Sequence, residues 1–168
     1  GYADQNGHPY RAIGGWLIEN AGLTRDEMSM QRIRRWVREN PKRMRELLNT
    51  NPNFVFFEER VGMGEADGPL GAQAVPLTPG AYVAVDRRYW KLGVPFVTEV
   101  TQDNPAMAFA RPVIAQDTGG AIRGVIRFDY FWGFGDIAGA QAGRQKSRAH
   151  AWVLVPRGMK PSDIMMAR

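Results

Sequence analysis

Three carboxylates, Asp117, Asp129 and Asp136, sit in residues 115–139 among closely spaced glycines and aromatics. Asp129 runs directly into Tyr130-Phe131-Trp132. A carboxyl set among aromatic rings loses water, which favours its neutral form, and an ionised Asp117 nearby would push the same way. That is one route from an aspartate to a proton donor at neutral pH. Aspartates at strand ends also close turns onto their own backbone. Spacing alone leaves the two readings open.

The elements that would carry these groups can be read from periodicity. The apolar run Pro112–Gln116 is a buried strand that ends at Asp117. The turn Asp117-Thr118-Gly119-Gly120-Ala121 follows, its paired glycines permitting positive φ and close approach of a ligand. A strand over Gly124–Asp129 then delivers Asp129. Other strands are expected over 81–86, 95–101, 107–116 and 151–155, with Asp86 closing the first. Asp136 is placed to cap a short helix over 137–141 that Gly143 ends. Short strands separated by Gly/Pro turns point to a barrel or a sandwich.

Upstream, residues 1–60 read as helical. Ile13, Trp16, Leu17 and Ile18 point to a short helix ending near Gly22. Ser29 caps a second, with Ile33, Trp36 and Val37 on one side. Pro41 starts a third, whose buried side is Met44, Leu47 and Leu48. Trp16 and Trp36 are read as core residues. A strand over 54–58 closes this part, and the Gly/Pro-rich stretch 61–79 reads as a crossing between two lobes.

Bulk properties narrow the function classes. A chain of 168 residues, 44% hydrophobic and 11% aromatic, can bury a core and is not a disordered segment. It has no apolar run of about eighteen residues, the length needed to span a bilayer. It opens on Gly1 with no initiator methionine, leader or lipid-attachment cysteine, so it reads as a processed or excised piece. The absence of cysteine excludes disulfides, thiolate metal sites and a cysteine nucleophile, and is compatible with an oxidising compartment. His8 and His150 lack ligand spacing, and no calcium-loop, phosphate-loop or serine-elbow motif is present. No cofactor or metal is therefore expected. The net charge of +5 favours acidic partners such as nucleic acid, anionic lipid or acidic glycan. Arg32, Arg34, Arg35, Arg38, Lys42, Arg43 and Arg45 would be the nucleic-acid surface, but the same stretch reads as amphipathic helices with solvated faces.

Read together, a set of ordered motifs carries a resemblance. Gly1-Tyr2-Ala3, Asn6-Gly7, Pro9-Tyr10-Arg11, Met28-Ser29-Met30-Gln31, Asn51-Pro52 and Phe54-Val55-Phe56-Phe57 are followed by Val75-Pro76-Leu77, Asp86-Arg87, Asp117, Gly119-Gly120-Ala121-Ile122, Asp129 and Trp152-Val153-Leu154. The chain resembles the C-terminal half of the membrane-bound lytic murein transglycosylase A family, over nearly its whole length. Asp86, Asp117 and Asp129 match the three-aspartate pattern for which that family's barrel module is named.

The resemblance implies a mainly β fold with helices: the second half of a double-psi β-barrel (residues 80–156) plus part of a smaller inserted α/β lobe (1–60), with a tail over 157–168. A glycan groove would lie between the two. Half a barrel leaves unpaired strand edges, so the missing N-terminal part of the same protein is an expected partner. The implied reaction cleaves the β-1,4 bond from N-acetylmuramic acid to N-acetylglucosamine in peptidoglycan, the muramoyl O6 attacking its own anomeric carbon. Glycosidases ordinarily need two carboxyls. With an intramolecular nucleophile one can suffice, and the resemblance assigns that role to Asp129, with Asp117 raising its proton affinity or holding its geometry.

Gly119, Gly120 and Ala121 are placed to offer backbone N–H groups to sugar oxygens, or form only a tight turn. Tyr2, Tyr10 and Arg11 line the groove or pack elsewhere. Asp86 and Asp136 are read as structural. The implied partners are peptidoglycan glycan strands and no nucleic acid. The implied location is the periplasm, at the outer membrane, through an upstream lipid anchor. A non-catalytic glycan-binding barrel is the other reading that the residues leave open.

Overall fold

The computed structural model describes residues 1–62, 64 and 67–166; residues 63, 65 and 66 of the expected crossing and 167–168 of the expected tail lie outside the described residues. The chain divides into two compact units, Gly1–Gly62 and Met63–Arg168.

In the first unit, helix α1 (Gly14–Ala21) ends where Gly22, at φ 67°, turns its N–H back to the Leu17 carbonyl. Helix α2 (Met30–Glu39) begins where the Ser29 hydroxyl accepts the Arg32 N–H at 3.1 Å. Pro41–Arg43 form a 3-10 turn that runs into α3 (Met44–Leu48). Leu17, Leu23, Trp36 and Leu47 are buried together, and Trp16 meets Trp36 edge-on at 5.6 Å. Arg34, Arg35 and Arg38 are exposed on α2.

Two expectations fail in this unit. Met44 and Leu48 are exposed, because α3 is too short to present more than Leu47 to the core. The first residues are not helical: β1 (Tyr2–Gln5) pairs antiparallel with β2 (Val55–Phe57) in a two-stranded ribbon. Nothing in Tyr-Ala-Asp-Gln alternates apolar with polar; the strand exists because a distant partner pairs with it.

The second unit holds β3 (Tyr82–Val85), β4 (Pro95–Gln102), β5 (Met107–Asp117), β6 (Phe128–Tyr130), α4 (Gly135–Arg144), β7 (Arg148–Val153) and α5 (Pro161–Ile164). The five strands lie in the order β6-β3-β5-β4-β7 and curl into half a barrel. This is the β-with-helices class expected. Strands β3 and β5 run parallel; the other neighbours are antiparallel. Along β4 the alternation puts Phe96, Thr98 and Val100 on the buried face. Phe96 packs edge-on against Trp90 and Phe128, in a core with Val83, Val85, Val94, Val113 and Ala115. The stretch before β3 is bonded down as well: Leu77 is buried and pairs its N–H with Pro69, while the Ala72 N–H reaches the Gln116 carbonyl.

Three boundaries differ from the sequence reading. Residues 124–127 are a turn rather than strand, and β6 is confined to Phe128–Tyr130. The turn forms because Gly124 adopts φ 117°, a conformation open to glycine alone at little cost. The last strand spans Arg148–Val153 rather than 151–155, its register set along β4. Helix α4 spans Gly135–Arg144, so Asp136 lies inside its first turn and Phe134 is the capping position. Gly143 does not end it.

Candidate active site

The site is built across three neighbouring strands. Ala84 of β3 is in register with Asp117 of β5 on one side and with Asp129 of β6 on the other. At about 4.8 Å per strand spacing, the two aspartate Cα atoms stand roughly 9–10 Å apart. The pairing with Asp117 falls at a register shift between Val83 and Ala84, and buried Ala84 lines a cavity that both aspartates border. That cavity, of about 280 Å³, is lined by Ala84, Asp117, Thr118, Ile122, Asp129 and Tyr130 among others.

The connection from Asp117 to Asp129 is held from the end of β3. Thr118 donates its hydroxyl to the Val85 carbonyl at 3.0 Å. The Asp86 carboxylate, 1% exposed, accepts the Gly124 N–H at 2.8 Å and is gripped by Arg88 at 2.6 Å. The Trp90 indole donates to the Val125 carbonyl at 2.7 Å. The Arg88 guanidinium, helped by the Gly124 and Arg88 N–H groups, holds Asp86 well below the usual carboxylate range against the opposing effect of burial.

The surroundings of Asp129 differ from the sequence reading. Its side chain is 44% exposed and accepts a hydrogen bond from Arg127 Nε at 2.5 Å. The carboxyl is therefore not dry, although Tyr130 and Phe131 line one cavity with it and Tyr130 and Trp132 line another. The carboxylate accepts Arg127's hydrogen bond and thereby raises the guanidinium above its ordinary value. Asp129 and Arg127 also border a second cavity, of about 510 Å³, with Thr98, Tyr130, Trp132 and Lys146 in its wall. Tyr130, Trp132 and Phe109 form an aromatic trio at 4.9–5.7 Å. Its members are tethered: Tyr130 donates to the Gly80 carbonyl and Trp132 to Gln145.

Among the remaining expected site residues, Gly119 and Gly120 lie in the turn after β5, closed by Ile122 N–H to the Gly119 carbonyl at 3.0 Å. Neither adopts positive φ, so the paired glycines are not used for left-handed backbone. The N–H of Ala121 and those of the two glycines take no part in that closing bond. Tyr2, Tyr10 and Arg11 belong to the first unit and are exposed. There Asn51 accepts the N–H groups of Arg11 and Asn53, while Asn6 ties Phe54 and Pro52, fixing the loop that carries Tyr10 and Arg11. Among the described residues the Asp136 side chain makes no capping bond, and the cap position is Phe134. Among the described residues no group of three metal-ligating side chains comes together.

Sequence reasoning missed Ala84, Arg88, Trp90, Gly124 and Arg127. Arg127 had a local signal, standing two residues before the Asp129 it meets. Arg88 is equally local, two residues after the Asp86 it grips, while Ala84, Trp90 and Gly124 act through pairings between distant segments.

Comparison with known proteins places this geometry. Residues 1–58 match the MltA specific insert domain and residues 81–155 match the 3D domain. The chain is 39% identical over 160 residues to the membrane-bound lytic murein transglycosylase A of Escherichia coli strain K12, covering 91% of this chain but 42% of that protein. The crystal structure of MltA from Neisseria gonorrhoeae, monoclinic form, superposes with a TM-score of 0.83 at 44% identity over 95% of this chain and 40% of that one. Escherichia coli MltA with bound chitohexaose superposes with a TM-score of 0.79 at 38% identity, over 90% of this chain and 46% of that one. The chain therefore spans under half the length of the relatives it matches.

Proposed function

The chain belongs to the membrane-bound lytic murein transglycosylase A family, and from that premise we propose that the protein carrying it cleaves the β-1,4 bond between N-acetylmuramic acid and N-acetylglucosamine in peptidoglycan, with Asp129 as the single acid/base. The observation that supports this most directly is the row Asp117–Ala84–Asp129 beside a common cavity. A glycan laid there meets both carboxyls. Asp129 gives its proton to the leaving oxygen and takes one back from the muramoyl O6, which closes on its own anomeric carbon to form a 1,6-anhydro sugar. Positioned acid–base catalysis of this kind contributes about 10²–10⁴-fold. Asp117 faces the same sugar and orders it. Gly119, Gly120 and Ala121 border the site as backbone donors, and Tyr2, Tyr10 and Arg11 are exposed glycan-contact candidates on the first unit.

The edges of the five-stranded sheet, β6 and β7, each pair with one neighbour. We assign their completion to the N-terminal part of the same protein, and membrane association at the periplasmic face to a lipid anchor in that part. The relatives are named membrane-bound, and no described helix is long and apolar enough to cross a bilayer.

Digestion of purified murein by the full-length protein, followed by mass spectrometry, tests the reaction. Anhydro-muropeptides are expected, and Asp129→Asn is expected to remove them while glycan binding persists. One observation favours a second reading, a barrel that binds glycan without cutting it: Asp129 is half-exposed and ion-paired rather than dry. Under that reading Asp129→Asn changes affinity alone and the wild-type digest holds no anhydro product.

A further inference from the structure

The turn before β6 ends in a bond whose geometry bears on how one carboxyl can serve twice. Arg127 Nε donates to Asp129 Oδ1, and among the described residues Oδ2 accepts no hydrogen bond. Arg127 is itself held from the core side. Gly124 is fixed through its N–H to Asp86 at 2.8 Å, Val125 through its carbonyl to the Trp90 indole at 2.7 Å, and the Arg127 N–H returns to the Gly124 carbonyl at 3.3 Å. Asp86 and Trp90 are 1% and 8% exposed, so the turn is anchored to the interior rather than left to solvent.

Resting on the transglycosylase reading, we propose that Arg127 is a positioning residue that anchors Oδ1 of Asp129 and leaves Oδ2 to carry every proton of the reaction, with Asp86 and Trp90 holding Arg127 in place. The step balances without a further reactant. The Oδ2 proton goes to the glycosidic oxygen as the C1–O4 bond breaks. O6 of the same muramoyl residue bonds to C1, and its proton returns to Oδ2. The carboxyl ends as it began. A guanidinium keeps its protons throughout and has no acceptor to offer, so its bond to Oδ1 survives both states of the carboxyl and stops it rotating between the two transfers. An exposed ion pair contributes little to stability; holding a reacting group in place is worth far more to the rate.

The test measures kcat and KM for anhydro-muropeptide release by the full-length protein. Arg127→Gln is expected to lower kcat roughly 10- to 100-fold with KM changed less than about two-fold. Arg127→Lys restores part of the loss, since it returns a donor without the planar fork. Trp90→Phe keeps the ring edge-on to Phe96, at 4.9 Å in the native protein, and deletes only the indole donor. It is expected to lower kcat in the wild-type background and to have no further effect beside Arg127→Gln. An Arg127→Gln enzyme with undiminished or higher kcat overturns the proposal, since Arg127 is then a passive pair or a brake. Independent, multiplicative losses in the double variant overturn the link through Trp90. Absence of anhydro product from the wild-type protein overturns the transglycosylase reading and this inference with it, and is seen before any variant is compared.

Discussion

Replacing Phe96 with alanine removes a ring that is 1% exposed and stacked edge-on against Trp90 at 4.9 Å and Phe128 at 5.2 Å. Its register partners across the sheet are Val113 and Val153. A cavity of phenylalanine size in such a core costs about 3–5 kcal/mol. Against a typical domain stability of about 5–15 kcal/mol, that change alone brings the second unit near unfolding. Leucine is the more informative substitution. It keeps most of the apolar contact, at a cost under about 1.5 kcal/mol, but loses two ring–ring contacts of about 0.5–1.5 kcal/mol each. We expect Phe96→Leu to cost about 1–4.5 kcal/mol, and Phe96→Ala more. Because Trp16 and Trp36 report from the first unit, urea unfolding is best followed by amide exchange on β4 and β5 rather than by total fluorescence. If alanine costs less than about 1 kcal/mol, the buried face of the sheet is not the packed core that these contacts imply. The Trp90 and Phe128 positions on either side of the Asp117–Asp129 connection would then need another support.

Two further outcomes follow from the site itself. Asp86 has a depressed folded value because Arg88 and two N–H groups favour its charged form. Its contribution to stability is therefore fully present above the ordinary aspartate value of about 3.9 and is lost as pH falls through the lower folded value. Asp86→Asn should be less stable at neutral pH and show a flatter loss below about pH 4, measured by thermal unfolding across pH; an unchanged acid profile would show that the pair is not formed. Ala84→Leu puts a larger side chain in the wall of the cavity that both aspartates border, at an overpacking cost of about 1–3 kcal/mol. Calorimetric titration with a chito-oligosaccharide should show weakened binding in a variant that still melts cooperatively, and wild-type affinity would place the glycan elsewhere.

Local features were legible where neighbours in sequence are neighbours in space. Ser29 caps α2 and Gly22 ends α1 because both motifs close within a few residues. Trp36 and Leu47 are buried where helical spacing put them. Reasoning from sequence neighbours failed at Asp129, whose carboxyl is half-exposed and meets Arg127, and at 124–127, where one glycine at φ 117° turns an apparent strand into a turn. It also failed for Tyr2–Gln5, a strand only because residues 55–57 pair with it.

The residue types and their order carried the family, the β-with-helices class and the three aspartates, since these are properties of the chain read along its length. The tertiary structure alone decided that Ala84 stands between Asp117 and Asp129, that Asp86 and Trp90 hold the turn before β6, and that Arg127 rather than an aromatic ring meets the Asp129 carboxyl. The reason is physical: the row depends on the relative register of β3, β5 and β6, whose segments are separated by tens of residues. A slip of one residue in any of them would turn its aspartate to the opposite face.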